Sequence, residues 1–145
     1  MQTFLPYPNF TVSAMCLDWR RLGKQRVEAR QIQDTLQRGG GWERHPAVRM
    51  WDGYVCALML YSDCMIREWV RRGYENNMSP MCTNRWDSDH VVHPSFSRDK
   101  IVMPPWLGDE ELHASHRSML MSKDPEWYSQ FEWDETPGGP YKWPV

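Results

Sequence analysis

Residues 18–28 read Asp-Trp-Arg-Arg-Leu-Gly-Lys-Gln-Arg-Val-Glu. Arg20, Arg21, Lys24 and Arg26 crowd the approach to one carboxylate, Glu28, and Arg30 follows a turn after Arg26. On a helix Lys24 and Glu28 are four apart and share a face with Arg20 and Arg21 one turn earlier. That pattern fits either a solvated, ion-paired surface or a phosphate-binding ridge with a single carboxylate set among cations. A carboxylate in such company is held ionised, and it can stabilise a developing cation or move a proton. Gln25 and Arg26 stand where the helix's apolar stripe calls for an apolar residue. They are either satisfied polar residues at a helix contact or a polar site set into the middle of the helix.

Two histidine pairs share i,i+3 spacing, His90/His93 and His113/His116, which would suit zinc, although no cysteine pair accompanies them. His45, ahead of Pro46, reads as a helix cap or a substrate contact. Gly39-Gly40-Gly41 has neither the preceding strand nor the following Lys-Ser/Thr of a phosphate loop. There is no serine nucleophile elbow, and Cys16, Cys56, Cys64 and Cys82 form no motif.

The elements that must carry these groups are helical. Met15, Trp19, Leu22, Ala29, Ile32 and Leu36 recur at steps near three and four, predicting a first helix over residues 13–38 that stops at the glycine run. Val48, Trp51, Val55, Leu58, Met65 and Trp69 predict a core helix from Pro46 to about Gly73, with Ser62 the gap in its stripe. A third helix starts at Asp109 with Glu110 and Glu111 in its first turn and ends before Asp124-Pro125. Residues 74–105, with four prolines, predict a long irregular connection, which in a compact domain is often functional. The Pro-, Gly- and aromatic-rich tail from Pro137 should lie extended over the body. The expectation is an all-α fold: residues 1–145 as a single compact domain of three main helices, with an irregular loop and an aromatic tail.

Composition bounds the function. The 145 residues carry a net charge of −2, which argues against a generic nucleic-acid binder. The charge is uneven, however: residues 18–49 hold eight cations against four acids, about +4, whereas from Ser122 onward two lysines face five acids. Nine Trp and ten Met exceed ordinary usage and could fill a core or offer platforms for nucleobases. The start MQTFLPYPNF lacks a signal peptide's basic and apolar regions, and every long run is interrupted by charge. The expected setting is a reducing cytosol with free thiols and no membrane.

Three motifs, taken in order, carry a resemblance. They are the MQTFLPYP start, the helix from His45-Pro46-Ala47-Val48 to Glu68-Trp69-Val70-Arg71-Arg72-Gly73-Tyr74, and Lys123-Asp124-Pro125-Glu126-Trp127-Tyr128-Ser129-Gln130-Phe131. Together the chain resembles the pyrimidine-dimer DNA glycosylase/AP-lyase family of the phage endonuclease V type, in its bacterial and phage branch, over most of its length except about 76–104. The resemblance implies a helical body that kinks double-stranded DNA, flips a base and cuts at a damaged or modified pyrimidine nucleotide. It implies that the α-amine of the first residue attacks the sugar C1′, expels the base and forms an imine, and that β-elimination then breaks the backbone. An α-amine ordinarily titrates near 7.7–8.0, so some is neutral at physiological pH. Gln2 is too large for ordinary removal of the initiator, so Met1 itself is the candidate nucleophile. A glutamate on the first helix assists. One register puts Gln25 at that position and another puts Glu28 there, and a glutamine could not act as acid or base. Arg20, Arg21, Lys24, Arg26 and Arg30 become candidate phosphate contacts, with His45, Trp127 and Tyr128 candidates beside the nucleotide. No cofactor, metal or obligate protein partner is implied. Two other readings remain: a catalytically silent DNA-binding module of the same fold, and a metal-dependent enzyme using the histidine pairs.

Overall fold

The computed structural model describes residues 1–80 and 101–145. Its elements are α1 (Phe10–Cys16), α2 (Trp19–Arg38), α3 (Pro46–Arg49), α4 (Val55–Arg71), α5 (Glu110–Lys123) and α6 (Pro125–Tyr128), followed by a 3-10 turn, Ser129–Phe131. Among the described residues there is no strand. The long helices α2 and α4 pack on each other, α1 packs on α4, and one hydrophobic cluster joins them. No described helix is long and apolar enough to cross a membrane.

Both long helices predicted from periodicity are interrupted. The first breaks at Leu17 and Asp18, which are extended, with Asp18 at φ −64° and ψ 159°. The break is held by side chains from the two motifs at the ends of α4 and α5. Arg72 Nη2 donates to the carbonyls of Ala14 (3.3 Å) and Met15 (3.1 Å), and Trp127 Nε1 donates to that of Cys16 (2.7 Å). The Tyr128 hydroxyl donates to Asp18 Oδ1 (2.5 Å) and accepts from the Asp18 N–H (3.1 Å). These groups satisfy carbonyls that a helix end leaves orphaned. The bend also throws Met15 and Trp19 off the apolar stripe, and they are 51% and 53% exposed. The second helix breaks between α3 and α4, where Gly53 adopts φ +83° in a turn that brings wholly buried Trp51 inward. Of the predicted core, Leu22, Ala29, Leu58 and Met65 are fully buried, whereas Val55 and Trp69 are half-buried. Trp69 lies over Gly23. A Cβ there would sit 3.0 Å from the indole, so the glycine buys the close approach of α4 to α2 at a helix-propensity cost of about 1 kcal/mol.

The feature that organises everything else is the extended N-terminal segment. Residues 2–6 are buried, and among the described residues no neighbouring strand takes their backbone polar groups. Such groups must find partners, and side chains supply them. Gln25 Nε2 donates to the Gln2 carbonyl and Gln25 Oε1 accepts from the Phe4 N–H, both at 3.0 Å. The Tyr61 hydroxyl, 2.8 Å from the Phe4 carbonyl and 2.6 Å from Gln25 Oε1, shares its one hydrogen between them. Leu5 is held at both ends. Its N–H donates to His116 Nδ1 (2.9 Å), and its carbonyl accepts from His113 Nδ1 (2.8 Å). Arg117 Nη1 donates to the Pro6 carbonyl (2.8 Å). The Gly108 N–H donates to His113 Nε2 (2.9 Å), which fixes the hydrogen of that ring on Nδ1. The tail lies extended as expected: the N–H groups of Gly138, Gly139 and Lys142 donate to the Ser118 carbonyl, Ser118 Oγ and Ser115 Oγ.

The histidine clamp works only with His116 neutral, because an imidazolium has no acceptor for the Leu5 N–H. Burial, then neighbouring His113, pushes the His116 pKa down to about 3. Its contribution to stability is therefore complete above the unfolded value near 6.5 and drains away as pH falls from there toward 3. Burial lowers His113 in the same direction. Between pH 7 and pH 4 the protein should lose roughly 3 kcal/mol through His116, as measured by urea unfolding at the two pH values. His116→Gln, which keeps an acceptor for Leu5 but does not titrate, should flatten that dependence. An unchanged slope would remove His116 from the account.

Candidate active site

Gln25, 1% exposed at the middle of α2, has all four hydrogen-bonding positions of its amide filled. Three hold the N-terminal segment and Tyr61 as described. The fourth, the second Nε2 hydrogen, goes to Glu28 Oε2 at 3.0 Å. The same carboxylate oxygen lies 3.5 Å from the Gln2 N–H, so Glu28 sits beside the first peptide of the chain. It forms one wall of a cavity of about 320 Å³ lined by Met1, Gln2, Phe4, Arg21, Lys24, Gln25, Glu28, Lys123 and Tyr141. Burial and then the Glu28 charge raise the Tyr141 hydroxyl to about 12, and they push the Tyr61 hydroxyl up as well. Both phenols beside the carboxylate therefore remain hydrogen donors at neutral pH.

Met1 also faces a second cavity, of about 290 Å³, with Gln31, Asp34, Thr35 and Trp42. His45 lies close by. Its Nδ1 accepts from the Ala47 N–H (3.0 Å), capping α3, and burial followed by the charge of the N-terminal ammonium lowers its pKa. A neutral His45 leaves the amine without a cationic neighbour on that side. Beyond the Glu28 cavity, a groove of about 610 Å³ runs along α2, with Trp19, Val27 and Trp69 as its apolar surfaces and Arg20, Arg21 and Lys24 along it. Arg21, Lys24 and Glu28 line both spaces and form the ridge between them.

The structure thus brings together Met1, Gln25, Glu28, Arg21 and Lys24, with Arg20 and His45 at the margins. Other candidates lie elsewhere. Arg26 stacks over Trp69 at 4.3 Å and donates to Asn76 Oδ1 (2.7 Å), and Arg30 donates to the Ser79 carbonyl, so both are turned onto the chain's own backbone and rings. Trp127 is tied to Cys16 with Arg72 above its ring at 5.6 Å. Tyr128 is wholly buried, and its hydroxyl is spent on Asp18, so its place as a nucleotide contact is corrected to one in the core. The His113/His116 pair, read from spacing as possible metal ligands, is the strap on Leu5. His90 and His93 lie outside the described residues. Among the described residues no three His, Cys, Asp or Glu side chains cluster to hold a metal ion.

Sequence reasoning missed Lys123, Tyr141, Trp42 and Gln2 as site-lining residues. Lys123 and Tyr141 reach Glu28 only through the fold. The aromatic excess pointed toward rings such as Trp42 and Tyr141 without placing them.

No curated protein and no solved structure matches the chain. A model of the pyrimidine dimer DNA glycosylase family matches residues 1–80, which contain Met1, Gln25, Glu28, His45 and the whole of α1 to α4. That is more than half of the sequence, and the chain belongs to the pyrimidine dimer DNA glycosylase family.

Proposed function

We propose that this chain is a DNA glycosylase with AP-lyase activity on damaged or modified pyrimidines in double-stranded DNA, with the Met1 α-amine as nucleophile and Glu28 as its carboxylate partner. The carrying observation is that a buried, side-chain-clamped segment delivers the first residue to a cavity walled by Glu28 and flanked by Arg21, Lys24 and Lys123. The amine nitrogen forms a bond to C1′ of the sugar, and the glycosidic bond breaks with its electron pair leaving on the base. The Glu28 carboxylate stabilises the positive charge that develops at C1′ and the ring oxygen. Loss of the nitrogen's proton and opening of the sugar ring give the imine. Removal of a C2′ proton then expels the 3′ phosphate by β-elimination, and water hydrolyses the imine to regenerate the amine. The cations hold the flanking phosphates, and the Tyr141 phenol, which lines the same cavity, donates to the charged region. A DNA substrate fits work in the cytosol. Gln25, saturated by its own contacts, serves as the positioning residue between strand and carboxylate.

Borohydride should trap a covalent adduct when the protein meets duplex DNA carrying an abasic site or a thymine dimer. Acetylating Met1, or adding one residue before it, should abolish trapping. Glu28→Gln should leave DNA affinity within a few-fold while strand cleavage falls by about 10²–10⁴. If wild-type protein forms no adduct on either duplex, the lyase reading fails and a DNA-binding module of this fold takes its place.

Binding gives a separate expectation. Neutralising Arg20 and Lys24 together should weaken affinity uniformly across sequences and make the salt dependence shallower by about two units. Arg26→Gln should leave that slope nearly unchanged, because its guanidinium is already engaged with Trp69 and Asn76. Equal slopes for the two variants would show that the ridge does not meet phosphates.

A further inference from the structure

Four rings form an arc around Met1. Trp42 meets His45 at 5.7 Å, His45 meets Trp143 at 5.8 Å, and Trp143 meets Tyr141 at 5.5 Å, all at steep angles. The arc starts in the smaller cavity, where Trp42 stands with Met1, and ends in the Glu28 cavity, where Tyr141 stands with Met1. Trp42 is 57% exposed, more than any other described tryptophan. Its steep contact with His45 covers at most one of its two faces. Its backbone is fixed by the turn before α3, where its carbonyl accepts from the His45 N–H at 2.9 Å.

The two cavities differ in charge. The Glu28 cavity carries Arg21, Lys24 and Lys123. The smaller one carries no cationic side chain and offers instead the Gln31 amide, the Asp34 carboxylate, the Thr35 hydroxyl and the Trp42 ring. A phosphodiester is drawn to the first and repelled by Asp34 from the second. A neutral base has the opposite preference, since its face can stack on an indole and its ring and exocyclic N–H groups can donate to a carboxylate. With C1′ at the Met1 nitrogen between them, phosphate and base go to opposite sides.

We propose that Trp42 is the stacking platform for the pyrimidine base of the attacked nucleotide, with Asp34 accepting from that base's N–H groups. This rests on the reading of Met1 as nucleophile, and the test keeps the two apart. Two otherwise identical duplexes are compared, one with a thymine dimer and one with an abasic site that has no base to stack. The readouts are affinity for each duplex, scission of the glycosidic bond on the first, where the cyclobutane ring keeps the freed base tethered, and borohydride adduct on the second. Base–aromatic stacking supports an expected fall, in Trp42→Ala, of the dimer-to-abasic ratio in both affinity and rate on the order of ten- to hundred-fold. Trp42→Phe should recover most of it, which a merely structural role would not predict. A ratio that Trp42→Ala leaves unchanged, or one that Trp42→Phe fails to rescue, overturns the platform. Absence of any adduct with wild-type protein overturns the nucleophile reading instead, and the affinity ratio still decides the role of Trp42.

Discussion

An extended segment buried among helices has a problem that a strand in a sheet does not. Its N–H and carbonyl groups project sideways at regular intervals, and neighbouring helices have already used their own backbone groups internally. An orphaned buried polar group costs about 1–3 kcal/mol, so residues 2–6 could not be threaded through this body without side chains placed to meet them. Gln25 from α2, Tyr61 from α4, and His113, His116 and Arg117 from α5 do this. One short segment thus fixes the mutual placement of three helices, and it ends at the cavity where the chemistry is proposed. Stability and the position of Met1 share the same hydrogen bonds.

Charge follows a parallel logic. Many cations away from the ridge are neutralised within the chain. Arg71 and Arg72 hold the Glu68 carboxyl below its usual range although burial works against it, Arg117 lies between Glu110 and Glu135, and Lys142 bridges Asp109 and Glu111. On α2, by contrast, Arg20 and Lys24 form no ion pair with any described residue, and Arg21 pairs only with Asp18. A protein of net charge −2 can therefore still present a local field that attracts an anionic polymer.

The helical class and the polar interruption of the α2 stripe were legible because both are local signals. Apolar periodicity marks the buried face, and Gln25 interrupts it. The breaks at Asp18 and Gly53 were not legible, because a stripe counted at three and four survives a short interruption and the groups that hold the first break come from residues 72, 127 and 128. The same distance in sequence explains the misreading of Tyr128. An aromatic in a short motif looks available until Asp18, 110 positions away, is seen to consume its hydroxyl. The histidine pair, which spacing offered to zinc only as an alternative, turns on a related point. Spacing shows that two rings share a helix face, but only the partner, here the backbone of Leu5, tells a ligand from a strap.

Gln25 and Glu28, which the register of the resemblance left as alternatives, are not interchangeable physically. Position 25 must donate to the Gln2 carbonyl and to Glu28 while accepting from the Phe4 N–H and the Tyr61 hydroxyl, and only a neutral amide does all four. A carboxylate there would lose both donors and bury its charge 3.0 Å from another, a cost of several kcal/mol. At position 28 the demands reverse. The side chain is half-buried on a cavity wall beside Arg21 and Lys24, where a negative charge is compensated and one oxygen already accepts from the Gln25 amide. The buried position therefore holds the amide that ties strand to helix, and the cavity wall holds the acid.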